Sequence, residues 1–236
     1  MDNLVGNTAA NHERFHLGPR TRGFTLVELL VVITIIAVLA FLSIVVSRKV
    51  YQGVDRARTA ADLKSLSVAL NICASDQEGM LPGPLYTGVT PVFSANDKNT
   101  FVYSVAPYVG YTLNKNPNQP LLVKELYPLA WKRALGTYDM TSNPQSITVY
   151  SVNESDWPAG TMPSRPFGYP GSFSYSRNPL RLAQIDPVSR VWMLRENMLK
   201  KPTLTTVTYP HGNSRAFLFF DGHMEYKPVD FVAFPK

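Results

Sequence analysis

The chain has 236 residues, enough for one or two domains, and its composition of 45% hydrophobic and 17% charged residues is that of a globular protein. The net charge of +6 comes from scattered basic residues, so no nucleic-acid partner is expected. The single cysteine, Cys73, excludes an intrachain disulfide and is predicted to be a small buried side chain.

Residues 1–23 are polar and show neither helical nor strand periodicity. Three arginines precede the apolar run that follows: Arg14, Arg20 and Arg22. The positive-inside rule places that side of the run in the cytoplasm, although Arg48 and Lys49 beyond the run weaken the asymmetry. The chain after Val46 is therefore expected to lie outside the cytoplasmic membrane.

The apolar run from Phe24 to Val46 would measure about 34 Å as a helix, enough to span a membrane. A secretory signal cut near Ala40 is one interpretation, but the run continues past that point. A plain anchor explains the length but not Glu28, whose charge costs about 2.5–3.5 kcal/mol at mid-helix. A third interpretation is a cut after Gly23, which gives Phe24 a positive amine four residues before Glu28. If both residues lie on one helix face, the attraction between the Phe24 amine and the Glu28 carboxylate is worth up to about 4 kcal/mol, enough to offset the cost of burial.

The segment Gly23-Phe24-Thr25-Leu26-Val27-Glu28-Leu29-Leu30 resembles the N-terminal cleavage and methylation motif of type IV prepilins and type II secretion pseudopilins. The resemblance implies that prepilin peptidase cuts after Gly23 and N-methylates Phe24. It implies that Glu28 neutralises the terminal amine of a neighbouring subunit during assembly. It also implies the protein's other partners: pilin or pseudopilin subunits in a homo- or heteropolymer, an assembly platform, an ATPase and the cytoplasmic membrane.

Beyond Ser47 the apolar residues keep helical spacing, as in Leu63, Leu66, Leu70 and Cys73, which predicts one helix from Phe24 to Glu78. Gly79 is predicted to cap this helix, and Pro82 prevents its continuation. The end of the helix resembles a pseudopilin-like subfamily at seven positions. They are Leu63, Lys64, Ala69, Asp76, Gly79, Leu81 and Pro82.

The middle of the chain is rich in proline and gives weaker predictions. Residues 101–111 are interpreted as a strand or a short helix, residues 121–135 as a short helix interrupted at Pro128, residues 147–152 as a strand and residues 157–170 as a loop. Three acidic residues are candidates for a carboxylate pair acting on sugars: Asp139, Glu154 and Asp156. Their spacing predicts no geometry, and catalytic motifs such as G-x-S-x-G are missing from the sequence, so no enzyme activity is expected.

Towards the C-terminus, residues 185–194 predict a turn and a buried strand, and residues 216–220 a strand buried on both faces. Asp221-Gly222 predicts a hairpin turn. His211, nine intervening residues and Asp221-Gly222, followed by His223, resemble the H-x9-DG motif of the same subfamily. A metal site is one interpretation, because some pseudopilins bind calcium through C-terminal loops. The preferred interpretation is structural, with no metal: the turn needs Asp-Gly, and the histidines tie a loop to the hairpin.

The predicted fold is α+β, a long N-terminal helix whose outer half packs on a C-terminal antiparallel β-sheet. The predicted divisions are a leader (1–23), a transmembrane and assembly helix (24–46), its amphipathic continuation (47–79) and a globular domain (80–236). The predicted function is a structural subunit of a pilus or pseudopilus, anchored by a single span with its N-terminus in the cytoplasm. The alternatives are a membrane-tethered binding module, with polysaccharide as a candidate ligand, and an anchored hydrolase.

Overall fold

The computed structural model describes residues 23–112, 119–142, 147–153, 165–171, 178–200 and 207–231. The chain divides into two compact units, Met1–Ser47 and Arg48–Lys236. Helix α1, Leu26–Asp76, contributes residues to both units.

The described part of the first unit is the apolar beginning of α1. Its large hydrophobic side chains are exposed all round the helix, from Leu26 to Val46. By length and composition, α1 is suited to cross a membrane. The hydroxyl groups of Thr34, Ser43 and Ser47 donate to backbone carbonyls three or four residues earlier, at 2.7–2.8 Å. Each of these polar side chains is therefore satisfied within the helix, as an apolar environment requires.

In the second unit, α1 buries the stripe that its sequence periodicity predicts. Leu63, Leu66, Leu70 and Cys73 are at most 2% exposed. The burial predicted for Cys73 is confirmed, and burial raises the pKa of its thiol. The helix ends at Asp76, and the N–H of Gly79 donates to the carbonyl of Ala74 at 2.8 Å. Gly79 has φ +82°, so its predicted role as the C-terminal cap is confirmed.

A five-stranded antiparallel sheet forms the other layer of this unit. Its strands are β1 (Gly88–Val89), β4 (Tyr150–Val152), β5 (Trp192–Glu196), β8 (Ser214–Phe219) and β9 (Met224–Pro228), in the order β1-β4-β5-β8-β9. The hydrophobic core joins Leu194 and Leu218 of the sheet to Leu63 and Leu66 of α1. The predicted α+β fold, with a long helix packed on a C-terminal antiparallel sheet, is confirmed.

Strand β8 is buried on both faces, as its sequence predicts. Ala216 and Leu218 belong to the core shared with α1. Phe217 and Phe219 alternate with them and pack with Trp192 in a second cluster. This alternation places successive side chains on opposite faces of the sheet.

Short elements complete the second unit: β2 (Val92–Phe93), α2 (Phe101–Val105), β3 (Leu121–Leu122), α3 (Leu129–Leu135), β6 (Leu199–Lys200), β7 (Val207–Thr208), and 3-10 turns at Ala106–Val109, Lys124–Leu126 and Leu182–Gln184. Strand β2 pairs with β3, and β6 pairs with β7. The helical option for residues 101–111 is confirmed.

The prediction of a helix over 121–135 is wrong at its start. Leu121 and Leu122 pair with β2 instead, and α3 begins only after Pro128. The strand predicted over 147–152 is confirmed for its last three residues. Within the loop predicted at 157–170, residues 157–164 lie outside the described residues, as do Glu154 and Asp156.

Candidate functional site

The N-terminus of α1 is capped by three hydrogen bonds between Thr25 and Glu28, made in both directions. The N–H of Glu28 donates to Thr25 Oγ1 at 3.2 Å. Glu28 Oε2 accepts from the Thr25 N–H at 2.9 Å and from the Thr25 hydroxyl at 2.8 Å. This arrangement is a capping box, with Thr25 as the N-cap and Glu28 at the third helical position. The carboxylate is therefore hydrogen-bonded within its own chain.

Phe24 lies before the helix and is 71% exposed. Phe24 and the N-cap Thr25 precede the first helical residue, Leu26. The shared helix face of Phe24 and Glu28 is expected for the chain cut after Gly23, and for that form it stays a prediction. A Cβ built on Gly23 would meet nothing within 4 Å. The segment Gly23–Phe24 is thus an exposed, non-helical peptide directly before an apolar helix.

His211, the first residue of the C-terminal motif, is buried between α1 and the sheet. Its carbonyl accepts from Arg56 Nη2 at 3.5 Å and from the Ser214 hydroxyl at 3.1 Å. Its ring meets the Tyr226 ring edge-on, with centroids 5.2 Å apart. Arg56 also lies over the Tyr226 ring, and its carbonyl accepts from the Tyr226 hydroxyl. His211 and Tyr226 together therefore fasten the β8–β9 hairpin to α1.

The imidazole of His211 faces a carboxyl group that is completely buried. His211 Nε2 lies 3.4 Å from Glu196 Oε1. Glu196 accepts from Trp131 Nε1 at 2.7 Å and from the Ala216 N–H at 3.1 Å. Burial raises the pKa of Glu196 to about 7, against these two hydrogen bonds, and burial lowers the pKa of His211 to about 4. Between these two pKa values the desolvated pair holds one proton and carries no net charge.

Asp221, Gly222 and His223 form the opposite end of the motif. Asp221 Oδ1 accepts from the His223 N–H at 3.0 Å and lies 2.5 Å from His223 Nδ1. The His223 ring stacks on Phe219, with centroids 4.2 Å apart. Gly222 has φ +83° in the hairpin turn, which confirms the turn predicted from Asp221-Gly222. A Cβ on Gly222 would lie 3.0 Å from Ser67 Oγ of α1, so the turn closely approaches the helix.

The two ends of the motif approach the same helix, at Arg56 and at Ser67. Arg56 and Ser67 are eleven residues apart on α1, a rise of about 17 Å. Strand β8 runs for six residues between the two contacts, also about 17 Å. Nine residues between His211 and Asp221 therefore let both ends of the strand touch the same helix.

The motif residues do not converge on one point. His211 contacts Glu196, whereas Asp221 and His223 contact each other. Across the described ranges, no three His, Cys, Asp or Glu side chains form a group that could hold a metal ion. Asp139, a candidate for sugar chemistry, accepts hydrogen bonds from Ser142 and Thr141, which lower the pKa of its carboxyl to about 2.

The long helix packed on an antiparallel sheet, with an exposed apolar beginning, defines a pilin-like arrangement. Residues 18–44 match the family described as the prokaryotic N-terminal methylation motif. The match supports a type IV pilin-like protein that is a substrate for prepilin processing.

The family match also implies prepilin peptidase and other pilins as partners. Together with the apolar helix, the match is consistent with membrane anchoring. No curated protein and no solved structure matches the chain.

Sequence reasoning missed four residues that build these sites: Thr25, Arg56, Ser67 and Glu196. The spacing Thr25-x-x-Glu28 is itself a capping-box signal and identifies the first of them. Glu196 ends the apolar strand Trp-Met-Leu-Arg-Glu, and a carboxylate there requires a buried partner. Nothing in the local sequence marks Arg56 or Ser67, because their role comes from the tertiary contact.

Proposed function

We propose that this chain is a structural subunit of a type II secretion pseudopilus or a type IV pilus-like filament. Prepilin peptidase cuts it between Gly23 and Phe24 and N-methylates Phe24. The observation that carries this proposal is the match of residues 18–44 to the methylation motif, with Gly23–Phe24 just before a capped and exposed apolar helix. An assembly platform and an ATPase act on the subunit, which has no catalytic role of its own.

In this proposal residues 24–46 first anchor the subunit in the cytoplasmic membrane, with the N-terminus in the cytoplasm. They later form the core of the filament. The exposed apolar side chains of this segment support both roles, since they need either lipid or neighbouring helices around them. Glu28 then pairs with the Phe24 amine of a neighbouring subunit, and the Thr25 hydrogen bonds orient its carboxylate before that partner arrives.

The C-terminal motif has a structural role in the proposed subunit. His211 accepts a hydrogen bond from Arg56 of α1, and the turn at Gly222 closely approaches Ser67 of the same helix. The hairpin thus couples the sheet to the helix that carries the subunit into a filament. The spacing of His211 and Asp221 supports the proposal that the subunit is similar to the pseudopilin-like proteins that carry H-x9-DG. No step of the proposal requires a metal.

The test is incorporation into filaments in cells with and without prepilin peptidase. Sheared surface filaments and membranes are separated, and the chain is quantified in each fraction. We expect the chain in the filament fraction only when the peptidase is present, with the uncut form retained in membranes otherwise. Equal amounts of filament-borne chain in peptidase-deficient cells would overturn the proposal.

A further inference from the structure

An open cavity of about 590 Å³ lies beside β1, the edge strand of the five-stranded sheet. This volume is within the range of small-ligand sites, roughly 300–1,000 Å³. Its walls are the chain on either side of β1, the loop before α2, and Thr148, which lies two residues before β4 and next to Gly88. The side chains used below are Tyr86, Thr90, Asn96, Asp97, Asn99 and Thr148.

The walls of the cavity are held by hydrogen bonds that do not use its amide side chains. The N–H of Tyr86 donates to the carbonyl of Asn99 at 2.8 Å, which joins two walls. The hydroxyl of Thr100 donates to the carbonyl of Asp97 at 2.7 Å and closes the loop. Behind the third wall, Asn197 Nδ2 donates to the carbonyl and the hydroxyl oxygen of Thr148. The cavity is therefore formed before any ligand enters.

The side chains that line the cavity offer both donors and acceptors. The amides of Asn96 and Asn99 make no hydrogen bond with any residue that the structure describes, so both keep their donors and acceptor for a ligand. The hydroxyls of Thr90 and Thr148 add groups of the same kind. Sugar hydroxyls need this mixture, because each of them donates one hydrogen bond and accepts others.

An aromatic ring stands at the edge of the same cavity. Tyr86 is 49% exposed, and Tyr169 holds it edge-to-face with centroids 6.2 Å apart. Arg165 lies over Tyr169 at 4.7 Å and fixes this second ring. A fixed and half-exposed ring gives a flat apolar surface, and its electron-rich face attracts the C–H groups of a sugar ring.

The charge of the cavity argues against a strongly ionic ligand. Asp97 and Lys98 are its only charged lining residues among those that the structure describes, and their charges cancel. A phosphate-rich ligand would need a surplus of cations. We propose that this cavity binds a neutral oligosaccharide, with the Tyr86 ring as a stacking platform and the Asn96 and Asn99 amides as partners for its hydroxyls.

The full chain is tested in phosphocholine micelles, whose headgroups contain no sugar. Saturation-transfer NMR with cellotriose, chitotriose and maltotriose detects binding and gives the Kd of each. We expect at least one of the three to bind. Tyr86→Ala and Asn99→Ala should each weaken that binding by about tenfold or more. Both side chains are exposed, so the two variants should keep the thermal unfolding temperature of the wild type.

Two matched variants serve as controls. Tyr51→Ala removes another exposed tyrosine and Asn213→Ala another exposed asparagine, both outside the cavity. Neither should change the Kd. The proposal is overturned if none of the three sugars binds up to about 10 mM, or if the cavity and control variants change the Kd equally. Displacement of a bound sugar by triglycine at similar concentration would also overturn it, because the site would then be a peptide site. Filament assembly plays no part in this test, so its result is independent of the proposed subunit function.

Discussion

The carboxylate of Glu28 accepts two hydrogen bonds from Thr25, one from its backbone N–H and one from its hydroxyl. A capping box of this kind stabilises a helix start by about 0.5–2 kcal/mol. The same carboxylate is the proposed partner of the Phe24 amine during assembly. Glu28 thus combines a local structural role with a proposed intermolecular one, and substitutions can separate them.

Glu28→Gln keeps the hydrogen-bonding shape of the capping box but removes the charge. Glu28→Ala removes both. If charge pairing drives assembly, both variants should lose incorporation into filaments to a similar extent, while cleavage after Gly23 continues. The measurement is the amount of each variant in sheared filaments relative to the cut form in membranes.

Thr25 supplies the matched control for this series. Thr25→Ser keeps the hydroxyl and should assemble as the wild type does, whereas Thr25→Ala removes the cap and leaves the Glu28 charge in place. We expect Thr25→Ala to assemble better than Glu28→Gln. The opposite order would show that the cap, and not the charge, is what assembly needs.

The contact between Gly222 and Ser67 predicts a cost for any side chain at this turn. Gly222→Ala combines a positive φ with a Cβ only 3.0 Å from Ser67 Oγ. Gly212 has a similar φ of +73° but open space around its Cβ. Gly212→Ala should cost about 1 kcal/mol of unfolding free energy through backbone strain, and Gly222→Ala about 1–3 kcal/mol more through overpacking.

Urea unfolding of the full chain in micelles, followed by tryptophan fluorescence, measures both variants. Adding Ser67→Ala removes the hydroxyl that a Cβ on Gly222 would meet, so the double variant should recover part of the loss. The prediction is contradicted if both glycine substitutions lower the unfolding free energy equally and Ser67→Ala restores none of the loss. The close approach of Gly222 to α1 would then not affect stability.

Glu196 and His211 predict two opposite dependences of stability on pH. Burial raises the pKa of Glu196 from 4.5 to about 7, so the unfolded chain releases its proton first and stability falls as the pH rises through this range. Burial lowers the pKa of His211 from 6.5 to about 4, so the unfolded chain takes up the proton first and stability falls as the pH falls through that range. Each slope is about 1.4 kcal/mol per pH unit, and the two cancel between about pH 4.5 and 6.5.

Replacing one residue of the pair should leave only the pH dependence of stability that the other residue causes. Relative to the wild type, the unfolding free energy of Glu196→Gln should rise with pH between about 4.5 and 6.5, and that of His211→Gln should fall. Urea unfolding at several pH values in this range gives both slopes. Variants whose slopes equal that of the wild type would contradict the desolvation of the pair.

The sequence was most informative where a local pattern has one physical meaning. The spacing of Leu63, Leu66 and Leu70 requires a helix with one buried face, and Asp221-Gly222 requires a turn, so both predictions are confirmed. The prediction for Leu121 and Leu122 is wrong because their pairing with β2 depends on a strand nearly 30 residues away. The Glu196–His211 contact is likewise non-local. The motif predicted the hairpin turn at Asp221-Gly222, but it did not show that His211 and Gly222 approach α1 at separate points.

The proposed function rests on the claim that the chain is processed at Gly23–Phe24, and mass spectrometry of its mature N-terminus in cells that contain prepilin peptidase measures that processing. We expect the N-terminal peptide to begin at Phe24 and to carry one methyl group on its amine. A chain that still begins at Met1, or one cut after Ala40 to begin at Phe41, would contradict the claim.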